Sequence, residues 1–509
     1  MFTNKKSFKH KICAISKKTS LLCFSIILIF SFLMFSCEST KTESSDGVKV
    51  VEPAKKPKRQ LTEEEKLNLF LEEFYTKLSN ALNSGSIDDA LALYDEVPEQ
   101  YANNYDLTYI KASLLISKQD YAFAKEIANQ LLANNPDNTE AMMLLSVIAK
   151  GSGDKAGKTA ILQKILAKEP YHAGANTELG HEQMLKANYK LANRYYLTAL
   201  AGESTNLEAL AGYGQSSYYL GNIDDAKNTF WKMLEIDETN AFAWAYLGKL
   251  EAETPDYEKS LEYVLKAIQY EPDYYDYWLD CGTYYHNLGK NLEAEKAWTK
   301  AIELRPDYFL GYVYRGGLYD EQEMVEKAYA DYKMVNQLYP EYYYAYESLG
   351  ILAWGTGDYA ASREGFQKAY EIYPASTSYP MMIAASYYME AYEKQGTPEE
   401  AALKKAGKDY LSKVVLKKLD KSSTDYAIAR LFYDNVQPAS VAQKVENEAS
   451  LNKKGRYLFY LAMYYQIRGN DNIAQKYYIN VQEMQSPTFF EYRLNDWAIE
   501  KYKAAGIQF

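Results

Sequence analysis

Four cysteines and four histidines in 509 residues leave little from which to build disulfides or metal centres. Beyond residue 40 the one remaining thiol is Cys281, in a packing position where cysteine acts as a small hydrophobe. His10, His172, His181 and His286 keep no zinc spacing with cysteine or with one another. Alternation of β-branched residues is nearly absent, which argues against sheets. The apolar run Leu21–Phe35, 15 residues, is short for a membrane span. No nucleophile elbow, metal cluster or framed pair of carboxylates is visible, so the chain is expected not to be an enzyme and to need no cofactor.

Prolines are also few, 14 in all, but they are spaced. Pro136, Pro170, Pro272, Pro306, Pro340 and Pro374 differ by 34 residues or by multiples of 34, and Ser204 and Glu238 hold the two vacant rungs. A fixed period of this length signals a repeat architecture. Within Tyr275–Tyr308, two amphipathic stretches flank a turn at Leu288–Asn291. Gly282 and Ala294 are small where two helices would cross, Trp278 and Trp298 are large where space must be filled, and Pro306 stops the second helix.

Trp278, Gly282, Tyr285, Ala294, Trp298 and Pro306 fall on the spacing W-x2-L-G-x2-Y, A-x3-F, P, with Cys281 in the leucine place. This resembles the tetratricopeptide repeat. Trp244, Leu247, Gly248, Ala267 and Pro272 repeat the register upstream, and Tyr346, Leu349, Gly350, Phe366, Ala369 and Pro374 repeat it downstream. The resemblance implies an all-α fold: a solenoid of helix pairs wound into a right-handed superhelix, with about eleven repeats of which eight are clear. The clear units run over 105–376; 61–104 reads as a degenerate N-terminal cap repeat, 377–454 as an irregular helical segment, and 455–509 as a C-terminal repeat-like unit with a capping helix.

The first 36 residues read as an export signal, in which Lys5, Lys6, Lys9, Lys11, Lys17 and Lys18 precede the apolar run. Its end, Leu33-Met34-Phe35-Ser36-Cys37, resembles a bacterial lipoprotein box, relaxed at Met34 and Phe35. That resemblance implies cleavage before Cys37 and acylation of Cys37, giving a membrane-anchored lipoprotein. Outer-membrane attachment facing the periplasm is the expected placement, with surface exposure as another. Residues 37–60 are polar, aperiodic and contain two prolines, as in a tether with a span of roughly 26 Å. The overall charge of -11 understates the acidity of the body from Leu61 onward, because the first 60 residues are basic. An acidic body argues against nucleic acid as partner.

Two local features have bland readings. Ser152–Thr159 misses a phosphate-binding G-x4-G-K-T loop at Ser152 and lacks a preceding strand, so it reads as an interhelical turn. The lysines from Lys404 to Lys421 spread around a helical wheel and form no single stripe.

In tetratricopeptide repeats the first helix of each pair lines a concave groove. The resemblance places Tyr109, His181, Gln215, Tyr218, Tyr219, Lys249, Thr283, His286, Tyr314, Asp320, Tyr344, Glu347 and Trp354 on or near that surface. Tyrosine offers contact area at low entropy cost, so the lining suits a peptide or a partner's helix. The expected function is a lipid-anchored envelope scaffold binding protein partners. Two alternatives stand beside it: an accessory lipoprotein passing a small hydrophobic ligand to an uptake system, and a surface adhesin.

Overall fold

The computed structural model describes residues 61–485 and 487–506. The export segment, Cys37 and the tether lie outside the described residues. The described residues form two compact units, one running up to Asp256 with Gln269–Pro272, the other of Tyr257–Ile268 with the described residues from Asp273 onward. Among the described residues every regular element is a helix.

The N-terminal unit contains α1 (Glu63–Asn83), α2 (Ile87–Ala92), α3 (Tyr105–Ser117), α4 (Tyr121–Asn134), α5 (Thr139–Gly151), α6 (Lys155–Lys168), α7 (Ala173–Leu185), α8 (Tyr189–Gly202), α9 (Leu207–Tyr219), α10 (Ile223–Ile236) and α11 (Ala241–Ala252). Next come α12 (Tyr257–Tyr270), α13 (Tyr275–Asn287), α14 (Asn291–Leu304), α15 (Leu310–Glu321), α16 (Val325–Leu338), α17 (Tyr343–Gly355), α18 (Tyr359–Ile372) and α19 (Ser378–Glu393). α20 (Pro398–Tyr410) runs through a π-helical turn, Leu411–Val415, into Leu416–Lys418. The chain ends with α21 (Thr424–Asp434), α22 (Pro438–Glu446), α23 (Leu451–Gln466), α24 (Asp471–Gln482) and α25 (Glu491–Ala504).

In five of the pairs a large ring on the second helix meets a glycine on the first: Tyr196 on Gly180, Phe230 on Gly214, Trp298 on Gly282, Tyr332 on Gly316 and Phe366 on Gly350. A Cβ on Gly214 would stand 2.7 Å from the Phe230 ring, and one on Gly282 would stand 2.4 Å from the Trp298 ring. The paired alanines Ala192, Ala226, Ala294 and Ala328 are fully buried. Burying such a ring stabilises the pair by about 1.5–3 kcal/mol.

The turn inside each pair has its own ladder. Gly85, Gly153, Gly221, Gly289 and Gly357 adopt positive φ, and so do Gln119, Ala187 and Glu323 on intervening rungs of the same 34-residue spacing. Pro255 holds the remaining intervening rung with a small positive φ. The turn is therefore imposed by the repeat geometry, and Gln119, Ala187 and Glu323 carry strain of roughly 1–2 kcal/mol each.

Caps recur as well. Thr62 and Glu65 form a reciprocal capping box at α1. Asn104, Asn138, His172, Asn206 and Asn240 then cap α3, α5, α7, α9 and α11, each side chain accepting from the backbone N–H three residues on.

In the C-terminal unit, α25 packs on helices far earlier in sequence. Arg493 Nη1 lies 2.7 Å from Asp320 Oδ2, and Arg493 Nη2 donates to the Asp320 carbonyl. Trp497 lies over Gly355, where a Cβ would stand 2.6 Å from the indole. Leu494 and Ile499 of the same helix are buried. The final helix thus covers the first-helix face of α15 and α17.

Candidate functional site

The expected groove residues divide between the two units. In the N-terminal unit, α9 and α11 bring four of them together. The Gln215 amide donates to the Tyr246 hydroxyl, and the Tyr218 hydroxyl donates to Glu253 Oε1 at 2.7 Å. Tyr219 stacks on Tyr189 with ring centroids 4.7 Å apart and meets Tyr218 edge-on at 5.5 Å. Lys249 places its ammonium 5.7 Å from the centre of the Tyr246 ring. Tyr219 is 48% exposed, and Leu185, one period earlier on α7, is 90% exposed. The result is an aromatic surface with fixed polar groups around it. Tyr189, Tyr246 and Glu253 belong to it although the groove register does not select them, while Leu185 holds the same place of the period as Tyr219 one repeat earlier.

His181 lies deeper. Its Nδ1 is 3.5 Å from Glu208 Oε1, and burial lowers its basicity. Beside it Glu178 accepts from Lys150 at 2.8 Å and from Lys158 at 2.7 Å. Burial opposes the charge of Glu178, but these two hydrogen bonds hold its carboxyl below the usual value. Tyr109 is part-buried against Tyr105, and burial raises its phenol.

In the C-terminal unit, Thr283 bonds back to the Leu279 carbonyl within its own helix. His286 Nε2 lies 2.8 Å from Glu321 Oε2, and Tyr314 stacks on Trp298 at 5.7 Å. Asp320 is held by Arg493, and burial raises its carboxyl despite that ion pair. Glu347 accepts from the Tyr379 hydroxyl, its carboxyl also raised by burial, and Tyr344 remains 51% exposed. Trp354 corrects the expectation of an offered ring. It is 6% exposed and meets Tyr359 edge-on at 5.0 Å inside the hydrophobic core of this unit, because α25 and its neighbours close over that face.

The remaining sequence features resolve locally. Asp154 caps α6 by accepting from Gly157 N at 2.8 Å, so its carboxylate takes the place a bound phosphate would need. Burial pushes the Cys281 thiol up to about 12, far from a reactive thiolate. Among the described residues no group of histidine, cysteine and acidic side chains is arranged to hold a metal ion, and no helix is long and apolar enough to cross a membrane. The lysines of α20 and its extension are dispersed: Lys404 pairs with Glu400, Lys408 lies over the Tyr433 ring, and Lys418 donates to the Tyr370 hydroxyl.

Helix pairs repeating every 34 residues, with a positive-φ residue at each turn and a ring seated on several of the crossings, define an α-solenoid of helix-turn-helix repeats. A TPR repeat-containing protein of Methanocaldococcus jannaschii is 23% identical over 355 residues, 64% of this chain. The fold is an α-solenoid of the tetratricopeptide-repeat type. The match spans 60% of that relative's length. No family model matches the sequence. Solved structures similar to parts of it include a Pseudomonas aeruginosa pilF structure (19% identity, 42% of this chain and 97% of that one, TM-score 0.38). A tetratricopeptide repeat protein from Parabacteroides merdae is similar at 19% identity, over 49% of this chain and 98% of its own, with TM-score 0.38.

Proposed function

We propose that this protein is a non-enzymatic scaffold, anchored in the cell envelope through lipid on Cys37, that binds a protein partner on the α9–α11 face of its N-terminal unit. The observation that carries the reading is the linked aromatic surface of Tyr189, Tyr218, Tyr219 and Tyr246, exposed at Tyr219 and continued by the bare Leu185. Rings already stacked lose little conformational freedom on binding, and Gln215, Lys249 and Glu253 supply polar groups that set a partner's register. The tetratricopeptide fold favours interaction over catalysis, though by analogy alone.

The test places a photocrosslinking residue at Tyr219 in intact cells and identifies the adduct. A specific envelope protein should be recovered, and recovery should fall at least tenfold in a Tyr218→Ala/Tyr219→Ala variant that stays folded. Unchanged recovery in that variant would remove this face from the mechanism. Cys37→Ala should move the protein from the membrane fraction to the soluble one; retention in the membrane would refute the lipid anchor.

A further inference from the structure

A cleft of about 430 Å³ lies within the C-terminal unit, between the start of α17, the segment joining α18 to α19, the start of α23 and the entry to α25. One wall is a continuous aromatic stack: Tyr343 lies 4.1 Å from Tyr344 and 4.9 Å from Tyr373, centroid to centroid. A second is Phe490, stacked on Phe366 at 5.5 Å and on Tyr379 at 6.2 Å. Tyr344 and Tyr373, at the two ends of this stack, are 51% and 44% exposed.

The polar lining is built into the fold. Arg456 donates to Thr377 and Ser378, and its Nη2 reaches Asp425 Oδ1 at 2.7 Å. Its charge is therefore already answered. Glu491 is fully buried, and its Oε1 accepts from the Tyr460 hydroxyl at 3.2 Å. Glu347, also in the lining, receives the Tyr379 hydroxyl. Burial raises both carboxyls, which favours their neutral forms. Lys453 and Asn452 stand at the exposed rim.

These features select a chemical class. An anion would enter facing two carboxyl groups, with the internal guanidinium already paired. An acyl chain would strip water from the polar rim of Asn452 and Lys453 and from the part-exposed Glu347 without offering any hydrogen bond in return, at a cost of about 1–3 kcal/mol for each polar group left unsatisfied. A pyranose ring has a flat face of C–H groups for the tyrosine wall and a rim of hydroxyls that donate and accept. The volume lies in the ordinary range of small-molecule sites, roughly 300–1,000 Å³. We propose that this cleft binds an uncharged oligosaccharide, one ring stacked against Tyr344 or Tyr373 and its hydroxyls answered by Glu347 on the wall and by Asn452 and Lys453 at the rim.

The experiment is titration calorimetry on the full chain in a detergent without a sugar headgroup. The probes are maltotriose, cellotriose, xylotriose, mannotriose and chitotriose, with trigalacturonate and palmitate as charged and apolar comparators. At least one neutral trisaccharide should bind with a Kd below about 1 mM, and Tyr344→Ala/Tyr373→Ala, at two exposed positions, should weaken it at least tenfold, about 1.4 kcal/mol. Tyr218→Ala/Tyr219→Ala should leave this binding unchanged, which separates the cleft from the proposed protein-binding face. The proposal is overturned if none of the five neutral probes binds at about 10 mM, if binding survives loss of both tyrosines, or if trigalacturonate or palmitate binds more tightly than every neutral probe.

Discussion

Tyr218 and Tyr219 in the N-terminal unit occupy the same two places of the 34-residue period as Trp354 and Gly355 in the C-terminal unit, yet the pairs live in opposite environments. Tyr219 is half exposed on an open aromatic face, whereas Trp354 is buried and Gly355 lies under the Trp497 indole. The corners between repeats differ too. Asparagine side chains, and His172 on one rung, cap the first helices from Asn104 to Asn240, but Tyr274 and Tyr342, on later rungs of the same ladder, make no side-chain capping hydrogen bond and join ring clusters, Tyr274 on Tyr277 and Tyr342 on Phe309. Register alone therefore does not assign a role. What a position does depends on whether another part of the chain returns to cover it, as α25 does on the first-helix face within the C-terminal unit.

The widest separation should come from Trp354→Ala against Tyr219→Ala. The first removes a buried ring and should cost about 3–5 kcal/mol. The second loses one stacking contact at a half-exposed site and should stay within about 1 kcal/mol, both read by urea unfolding. Similar losses at the two sites would erase the contrast. Next in size is Gly355→Leu, whose side chain would meet the Trp497 ring; a cost of about 1–3 kcal/mol is expected, with faster amide exchange confined to Glu491–Ala504. If exchange there were unchanged, α25 would not be held through Trp497. Smaller again, Asn206→Ala removes the hydrogen bond accepted from Ala209 N at 2.9 Å and should cost about 1 kcal/mol, while Tyr342→Ala should leave the start of α17 as helical as before.

Much of this fold was legible because the repeat writes the same packing problem many times. The proline rungs, and glycines such as Gly214 and Gly282 facing Phe230 and Trp298, reveal crossings whatever the rest of the unit does. The turns were half legible: glycines mark alternate rungs, but Gln119, Ala187 and Glu323 take the same left-handed conformation with no residue-type signal. The candidate site was less legible, since burial of a register position depends on contacts distant in sequence. Arg493 reaches Asp320 across 173 residues, and periodicity carries no information about such a pairing. The glycine at 355, where α9 has a tyrosine, was the local sign that something large lies against it.

The finest distinction between the units is electrostatic. Glu178 in the N-terminal unit is held below its ordinary value of 4.5, because the Lys150 and Lys158 hydrogen bonds outweigh burial. The unfolded chain then binds the proton more readily, so the stability Glu178 contributes is present above pH 4.5 and is lost as pH falls through the lowered folded value. Glu491 in the C-terminal unit is raised from the same ordinary value by burial, only partly offset by the nearby Arg456 charge. Here the folded state keeps a proton that the unfolded chain has released, so its contribution is complete below pH 4.5 and is lost as pH rises through the raised folded value. Thermal unfolding at a series of pH values should therefore separate two isosteric substitutions. Glu178→Gln should destabilise at neutral pH, with the deficit shrinking on acidification. Glu491→Gln should compare most favourably with the parent at the alkaline end and lose that advantage on acidification. Parallel pH profiles for the two variants would show that the carboxylates share one environment, contrary to the lysine pair around the first and the closed core around the second.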